Sequence, residues 1–330
     1  MGPVSTEVRP ISLTRRAEWR TMTVRPPPMR CRMRPGLALA AGLLAAAGVG
    51  TVAGGPAALA AAPAPPAWAA WDKASVHPGM MTATGGQRCT SNFLFADGAG
   101  HLYLGQAAHC ARSDALAPKT APGAAKTGCT FGSLPLGTSV TLVGSTLTGT
   151  LAYSSWLAMR KAGEADPATC TTNDFALVAL PAGSADQANP SIPYFGGPTE
   201  LRRTPAPGGE AVATFGNSPT RQGIDAIDVK QGYVIGSGDD GWSYRILTAT
   251  PGIPGDSGSG LVDSTGRALG VILTLALDPP GSNGVVDAAR ALDYARAHSG
   301  IKGLRLVPGT EPFVGASVVA ALAPPFLRRP

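Results

Sequence analysis

Residues 250–260 read TPGIPGDSGSG and place Ser257 in a run rich in glycine. The glycines of this run are Gly252, Gly255, Gly258 and Gly260. Because glycine adopts positive φ without strain, the segment can turn sharply, expose the serine hydroxyl and aim backbone N–H groups at a bound ligand. The pattern indicates a catalytic nucleophile rather than a plain turn between strands if the chain also supplies a base and a carboxylate.

His109 is the candidate base. It lies in the segment GQAAHC at 105–110 and adjoins Cys110. A lone histidine is usually structural, but a disulfide at the next residue would fix the position of this one. A base in this place would suit the nucleophile at Ser257.

Asp174 is the candidate carboxylate, because it stands directly before the apolar run 175–180. An aspartate at the mouth of a buried strand is partly desolvated and needs a partner, such as an imidazole N–H, to stay charged. Taken alone, Asp174 would be better explained as a turn residue.

Short apolar and β-branched runs alternate with turn residues along the chain. TSNFLF and HLYLG flank the turn at 96–100 and predict a hairpin, and one helix is predicted over 285–298 after a cap at Asn283. Further strands are predicted at 138–143, 148–153, 175–180, 211–215, 229–235, 242–247, 260–262 and 268–275. This pattern predicts an all-β barrel or sandwich, and the Pro/Gly-rich interval 181–209 divides the strands into two groups.

The net charge of +6 comes from the amino-terminal 60 residues. These hold eight arginines and two glutamates, and the remainder carries 19 basic and 19 acidic residues. A formally neutral remainder gives no sign of nucleic-acid binding. The arginines lead into an Ala/Gly-rich apolar segment that ends in small residues at 58–60, which predicts a secretory signal peptide over 1–60.

A retained membrane anchor is the competing interpretation of this leader. Met29 and Met33 are alternative starts that would leave a more ordinary basic region before the apolar segment. After cleavage we expect a secreted, extracellular protein without stable membrane association. Residues 61–85 are rich in proline, alanine and glycine and indicate a linker or a short propeptide.

Four cysteines lie outside the leader: Cys89, Cys110, Cys129 and Cys170. An even number in a secreted chain predicts two disulfides, for which three pairings are open. We prefer Cys89–Cys110, across the base of the hairpin, with Cys129–Cys170 as the second bond. The absence of C-x-x-C spacing and the presence of only four histidines argue against a zinc site, and we expect no metal or cofactor.

Together these segments resemble the chymotrypsin-like (trypsin-like, S1-type) serine peptidases, and in particular secreted ones of high-GC Gram-positive bacteria (actinobacteria). The similar pieces are AAHC at 107–110, NDFALVAL at 173–180 and GDSGS at 255–259, in the family's order of His, Asp and Ser. An α/β-hydrolase would need G-x-S-x-G with the histidine last. The resemblance spans approximately residues 89–299.

The resemblance implies two antiparallel six-stranded β-barrels at 86–195 and 196–300, with a C-terminal helix in the second. Residues 301–330 are a tail that lies beyond the family's usual terminal helix. His109 and Asp174 would come from the first barrel and Ser257 from the second. His109 would take the proton of Ser257 as it attacks an acyl carbon, while Asp174 orients the imidazole. The N–H groups of Gly255 and Ser257 would form the oxyanion hole.

The chain departs from the family at the S1 pocket, which binds the P1 side chain. The expected S1 residues are Pro251, Gly252 and Ile253 with Leu273 and Thr274, and no carboxylate stands at the pocket floor. We therefore expect no cleavage after Arg or Lys.

In the family, a freed amino terminus of the IVGG type pairs with the aspartate that precedes the nucleophile. No IVGG-type segment precedes Cys89, so Asp256 needs another cation. Arg88, Arg221 and Arg245 are the candidates. The predicted function is a secreted, monomeric serine endopeptidase that acts on peptide or protein substrates. The alternatives are a non-catalytic binding or adhesive module of the same fold and an esterase.

Overall fold

A computed structural model describes residues 67–120, 125–277 and 279–315 of the chain. The predicted signal peptide and the end of the predicted tail lie outside these residues. Among the described residues, no helix combines the length and the apolar character needed to cross a bilayer.

The described chain is built mainly from short antiparallel strands, as the sequence predicts. The strands are β1 (Met81–Thr84), β2 (Gln87–Thr90), β3 (Leu94–Ala96), β4 (Leu102–Gln106), β5 (Ser139–Leu142), β6 (Thr148–Ser154), β7 (Ala176–Ala179), β8 (Ala211–Phe215), β9 (Val229–Gly238), β10 (Ser243–Thr248), β11 (Gly260–Asp263), β12 (Ala268–Leu277), β13 (Pro280–Asp287) and β14 (Arg305–Leu306). The α-helices are α1 (Ser155–Ala162), α2 (Pro167–Thr172), α3 (Asp225–Asp228) and α4 (Ala288–His298).

The second half is a closed barrel of six strands in the order β10-β13-β12-β11-β8-β9, as expected. The first half is an eight-stranded sheet in the order β14-β3-β4-β7-β6-β5-β1-β2, where we had expected a six-stranded barrel. At one end of this sheet the tail adds β14 beside β3. At the other end β2 runs into the second half, where the N–H of Thr90 donates to the carbonyl of Ser257 at 2.9 Å.

Two boundaries differ from the sequence predictions. Residues 81–84 form β1, so the linker interpretation of 61–85 is wrong for them. The strand was missed because its buried, inward-facing side chains are those of Thr82 and Thr84, which are polar and do not give an apolar alternation. The C-terminal helix begins at Ala288 rather than 285, since β13 continues to Asp287 and the carboxylate of Asp287 caps the helix by accepting from the N–H of Arg290.

The two short helices α1 and α2 were not predicted from the sequence. Their end residues mark them better than any apolar stripe. The side chain of Asp166 caps the start of α2 by accepting from the N–H of Thr169, and Gly163, with φ +66°, ends α1. They carry the chain from β6 to Asp174, so they belong to the wall of the cleft described below.

The core continues from one half into the other. Phe93 and Phe175 of the first half share one buried cluster with Val262 and Val271 of the second half, and Leu292 of α4 packs into the same cluster. Burial of this much apolar surface is the main stabilising contribution. The two disulfides are Cys89–Cys110 and Cys129–Cys170, the pairs preferred from the sequence.

Candidate active site

His109 lies in a 3-10 turn (Ala108–Ala111) directly after β4. Its backbone N–H donates to Oδ1 of Asp174 at 2.8 Å, and its Nδ1 lies 2.6 Å from Oδ2 of the same carboxylate. The Cys89–Cys110 disulfide holds the turn from the other side. With Nδ1 engaged, Nε2 is the ring nitrogen left to act as a base.

Burial alone would lower the pKa of His109, but the charge and hydrogen bond of Asp174 outweigh it and raise the pKa above its usual range. The positive charge of Arg112 opposes this rise. The arrangement therefore favours the imidazolium form, as a base that must hold a transferred proton requires.

Ser257 lies in the turn before β11, and its Oγ donates to the carbonyl of Leu273 at 3.3 Å. Gly255 has φ +101°, and a β-carbon there would lie 2.5 Å from Cδ of Pro219, so glycine is required at this position. In the described part of the chain, no backbone hydrogen bond is made by the N–H of Gly255 or of Ser257. The structure brings His109 and Asp174 into direct contact, whereas the hydroxyl of Ser257 points to Leu273.

The residue before Ser257, Asp256, is fully buried in a cluster of four charges. Its Oδ2 lies 3.2 Å from Nη2 of Arg221 and 3.3 Å from Nζ of Lys230. Arg221 also pairs with buried Asp228 through Nη1 at 3.4 Å. Of the three cations considered from the sequence, Arg221 is the one that pairs with Asp256, and Lys230 was missed.

Lys230 was missed because a lysine in a strand pattern is ordinarily placed on the solvent face. Its side chain is instead fully buried, and desolvation lowers its pKa to about 8 despite the nearby charge of Asp256. Burial also raises the pKa of Asp228. The cluster has two positive and two negative members, so the buried charges balance.

The expected S1 residues occupy two neighbouring segments. Pro251, Gly252 and Ile253 precede the turn that carries Ser257, and Leu273 and Thr274 lie on β12. Asn283, predicted as a helix cap, instead lies on β13 and joins the two segments. Its Oδ1 accepts from the N–H of Gly252 at 2.8 Å, and its Nδ2 donates to the carbonyls of Gly252 at 2.9 Å and of Thr274 at 3.0 Å.

A cleft of about 550 Å³ opens beside His109. Its lining includes Leu273 and Thr274 of the second half and Arg112, Phe131 and Trp156 of the first half. A second hollow of about 560 Å³ shares Leu273 and Thr274 and extends along the second barrel to Ile235 and Tyr244. Leu273 and Thr274 thus connect the two hollows, and an extended peptide could contact both.

Cys89, His109 and Cys110 bring their Sγ and ring nitrogen atoms within 4.8 Å of one another. Both sulfurs are bonded to each other in the disulfide. Because a cysteine binds a metal ion as its thiolate and these two sulfurs are in a disulfide, this group is not a metal site.

The site places a histidine, a carboxylate and a serine on two β units, an arrangement typical of serine-type hydrolases. A family model described as the trypsin-like peptidase domain matches residues 107–271, half of the chain, and spans His109, Asp174 and Ser257. The chain belongs to the trypsin-like peptidase family.

Solved structures of similar proteins include protease A of Thermobifida fusca, at 20% identity and a TM-score of 0.43, covering 71% of this chain and 99% of that one. The chymotrypsin of Cellulomonas bogoriensis has 20% identity and a TM-score of 0.40, with 70% and 98% covered. A Nocardiopsis protease has 17% identity and a TM-score of 0.41, with 70% and 98% covered. A search of curated proteins found no significant match.

Proposed function

We propose that the protein is a serine endopeptidase that cleaves peptide bonds through an acyl-enzyme intermediate. Its catalytic residues are His109, Asp174 and Ser257. The observation that supports this most directly is the double hydrogen bond by which Asp174 holds both the backbone and the imidazole of His109. A carboxylate in this position keeps the imidazole in one tautomer with Nε2 available to the serine.

In the first step Oγ of Ser257 attacks the peptide carbonyl carbon and its proton passes to Nε2 of His109. The carbonyl oxygen becomes an oxyanion that accepts hydrogen bonds from the N–H groups of Gly255 and Ser257, each typically worth about 3 kcal/mol. The intermediate then collapses, the C–N bond breaks, and His109 returns the proton to the leaving amine. Water, deprotonated by His109, releases the acid and restores Ser257.

This mechanism requires the hydroxyl of Ser257 to leave its bond to Leu273 and turn to His109. The hydrogen bond to the carbonyl of Leu273 is long, at 3.3 Å, and therefore weak, so breaking it costs little free energy. Catalytic hydrogen bonds commonly tighten only when substrate is bound, so the present partner of Ser257 does not count against its proposed role.

The P1 side chain is not a basic one in this proposal. Pro251, Gly252 and Ile253 supply no carboxylate, and the carbonyl of Pro251 already accepts a hydrogen bond of 2.6 Å from Nη2 of Arg221. An arginyl or lysyl side chain would therefore find no acidic partner at this wall of the pocket. Efficient hydrolysis of an arginyl p-nitroanilide peptide would contradict this specificity.

We also propose that the protein works outside the cell. The arginine-rich and apolar leader supports export, and the disulfides Cys89–Cys110 and Cys129–Cys170 are of a kind that persists in oxidising compartments. Amino-terminal sequencing of the protein from culture medium would locate the cleavage, which we expect near residue 60.

Labelling by a fluorophosphonate probe tests the catalytic site. We expect the wild-type protein to be labelled and Ser257→Ala to be unlabelled, with Ser264→Ala, an exposed serine of the same barrel, labelled as wild type. A folded wild-type protein that resists the probe would favour the binding-module alternative. Labelling with hydrolysis of esters but of no peptide in a mixed library would favour the esterase.

A further inference from the structure

Arg112 is fixed at the rim of the cleft by contacts on three sides. Its backbone N–H donates to the carbonyl of His109 at 2.9 Å, so both residues belong to one turn. The guanidinium carbon lies 4.1 Å from the centre of the Phe131 ring, and Nε donates to Oδ1 of Asp114 at 2.7 Å. An arginine held in this way loses little conformational entropy when it binds a ligand.

The wall behind Arg112 is rigid. Phe131 stacks on Trp156 with ring centres 5.1 Å apart, and its carbonyl accepts a hydrogen bond from Arg160. The Cys129–Cys170 disulfide ties this loop to α2. Because the guanidinium covers one face of Phe131, an incoming side chain meets cationic surface there rather than an open apolar wall.

The guanidinium of Arg112 has N–H donors that no described residue uses. Within 67–120, 125–277 and 279–315, no hydrogen bond is made by Nη1 or Nη2 of Arg112, which leaves the fork that suits a carboxylate. Asp114 neutralises Arg112 only weakly, because its side chain is 73% exposed and the pair is largely screened by water. Lys126 adds a second positive charge to the same cleft.

The acidic groups of the cleft do not cancel this positive charge. They are Asp114 and Asp174, and the carboxylate of Asp174 is already occupied by two hydrogen bonds from His109. The cleft therefore offers unoccupied cationic donors and no unoccupied buried carboxylate among its described residues.

We propose that Arg112 is a specificity-determining residue that selects an acidic side chain, Asp or Glu, at the P2 position of the substrate. This inference rests on the proposed peptidase function. Leu273 and Thr274 line this cleft and also belong to the expected S1 pocket, so Arg112 lies in a cleft that adjoins the place expected for the P1 side chain. In this proposal, the side chain next to P1 on its amino-terminal side is the one that reaches the Arg112 guanidinium.

The experiment is cleavage of a proteome-derived peptide library by the wild-type protein, followed by mass spectrometry of the products. We expect Asp and Glu to be enriched at P2. For a matched peptide pair that differs only in Glu or Gln at P2, we expect kcat/KM to favour Glu by about three- to tenfold, the range of a half-exposed charge-assisted contact. The preference should shrink as salt is added.

Two substitutions at Arg112 and one control assign the effect. Arg112→Gln should bring the Glu/Gln ratio of kcat/KM to about one, and Arg112→Glu should reverse the library preference toward Lys and Arg at P2. Lys302→Gln removes one positive charge from an exposed residue outside the cleft and should keep the wild-type ratio. Thermal unfolding of each variant separates a change of specificity from loss of the fold.

Three results would overturn the inference. Library cleavage without acidic enrichment at P2, or an unchanged Glu/Gln ratio in folded Arg112→Gln, would refute the role of Arg112 and leave the peptidase function standing. Absence of cleavage of any peptide by the folded wild-type protein would refute the peptidase function and this inference with it.

Discussion

The hydroxyl of Thr90, the last residue of β2, donates a hydrogen bond of 2.8 Å to the carbonyl of Gly255 in the turn that carries Ser257. The same oxygen accepts from the N–H of Asn217 at 2.9 Å, and the N–H of Thr90 donates to the carbonyl of Ser257. One side chain of the first half thus fixes the turn of the second half that carries the proposed oxyanion donors.

Thr90→Val tests this connection. Valine keeps the shape of threonine but leaves the carbonyl of Gly255 and the N–H of Asn217 without their partner, which costs about 1–3 kcal/mol in a buried place. We expect a lower melting temperature and a lower kcat with little change in KM, measured by calorimetry and steady-state kinetics. Thr90→Ser retains the hydroxyl and should stay close to wild type; an equal loss in both variants would contradict the argument.

The proton on Lys230 should set the alkaline limit of activity. With its pKa lowered to about 8, Lys230 loses its charge as the pH rises through that value, and Arg221 is then the one cation that still pairs with Asp256 among the described residues. We expect kcat/KM to fall above about pH 8. Lys230→Met should reduce kcat/KM at neutral pH and abolish this alkaline limb, and an unchanged limb near pH 8 in the variant would refute the assignment.

Global stability should not fall in the same window. A lysine whose pKa is lower in the folded state than its usual 10.5 binds fewer protons when folded than when unfolded between about pH 8 and 10.5. Its contribution to the free energy of unfolding therefore rises with pH there. Circular dichroism should show an intact fold at a pH where activity is already lost.

Gly216 makes room for the buried charges. A β-carbon at this residue would lie 2.6 Å from Nζ of Lys230 and closer still to Oδ1 of Asp256. We expect Gly216→Ala to separate the pair, to destabilise the protein by about 1–3 kcal/mol and to lower kcat. Gly208→Ala is the matched control, because a β-carbon there would meet nothing within 4 Å; chemical denaturation of both variants gives the comparison.

The raised pKa of His109 predicts how kcat/KM depends on pH on the acid side. As a base His109 must be neutral, so kcat/KM should rise with pH through an apparent pKa above the usual 6.5. Asp174→Asn removes the charge that raises the pKa and should move the limb to lower pH, with a loss of about 10⁴-fold in kcat. A limb unmoved by this substitution would show that another group titrates.

The ion pair between His109 and Asp174 stabilises the fold fully below about pH 6.5 and less as the pH rises through the pKa of His109 in the folded protein.

The sequence predicts what depends on local pattern. Hairpin runs before His109, the apolar run after Asp174 and the glycines around Ser257 are signals within ten residues, and they led to the all-β class and the family. The contact between His109 and Asp174 was expected from the resemblance, and their catalytic roles stay predictions.

What the sequence did not predict depends on which way a polar side chain points. Lys230 and Asn283 both lie in strands, where alternation assigns polar residues to the solvent face. Both instead point inward, where Lys230 pairs with Asp256 and Asn283 binds Gly252. Strand β1 was missed for a related reason, since its inward residues are threonines. Tertiary packing overrides local preference at such positions.

The apolar cluster that holds Phe93 and Phe175 together with Val262 and Val271 links folding to chemistry. Neither half can shield its own apolar residues from water without the other, so we expect heat to melt the protein in a single cooperative transition. His109 and Ser257 belong to different halves and would separate in that same transition. Assembly of the candidate site and folding of the chain would then be one event.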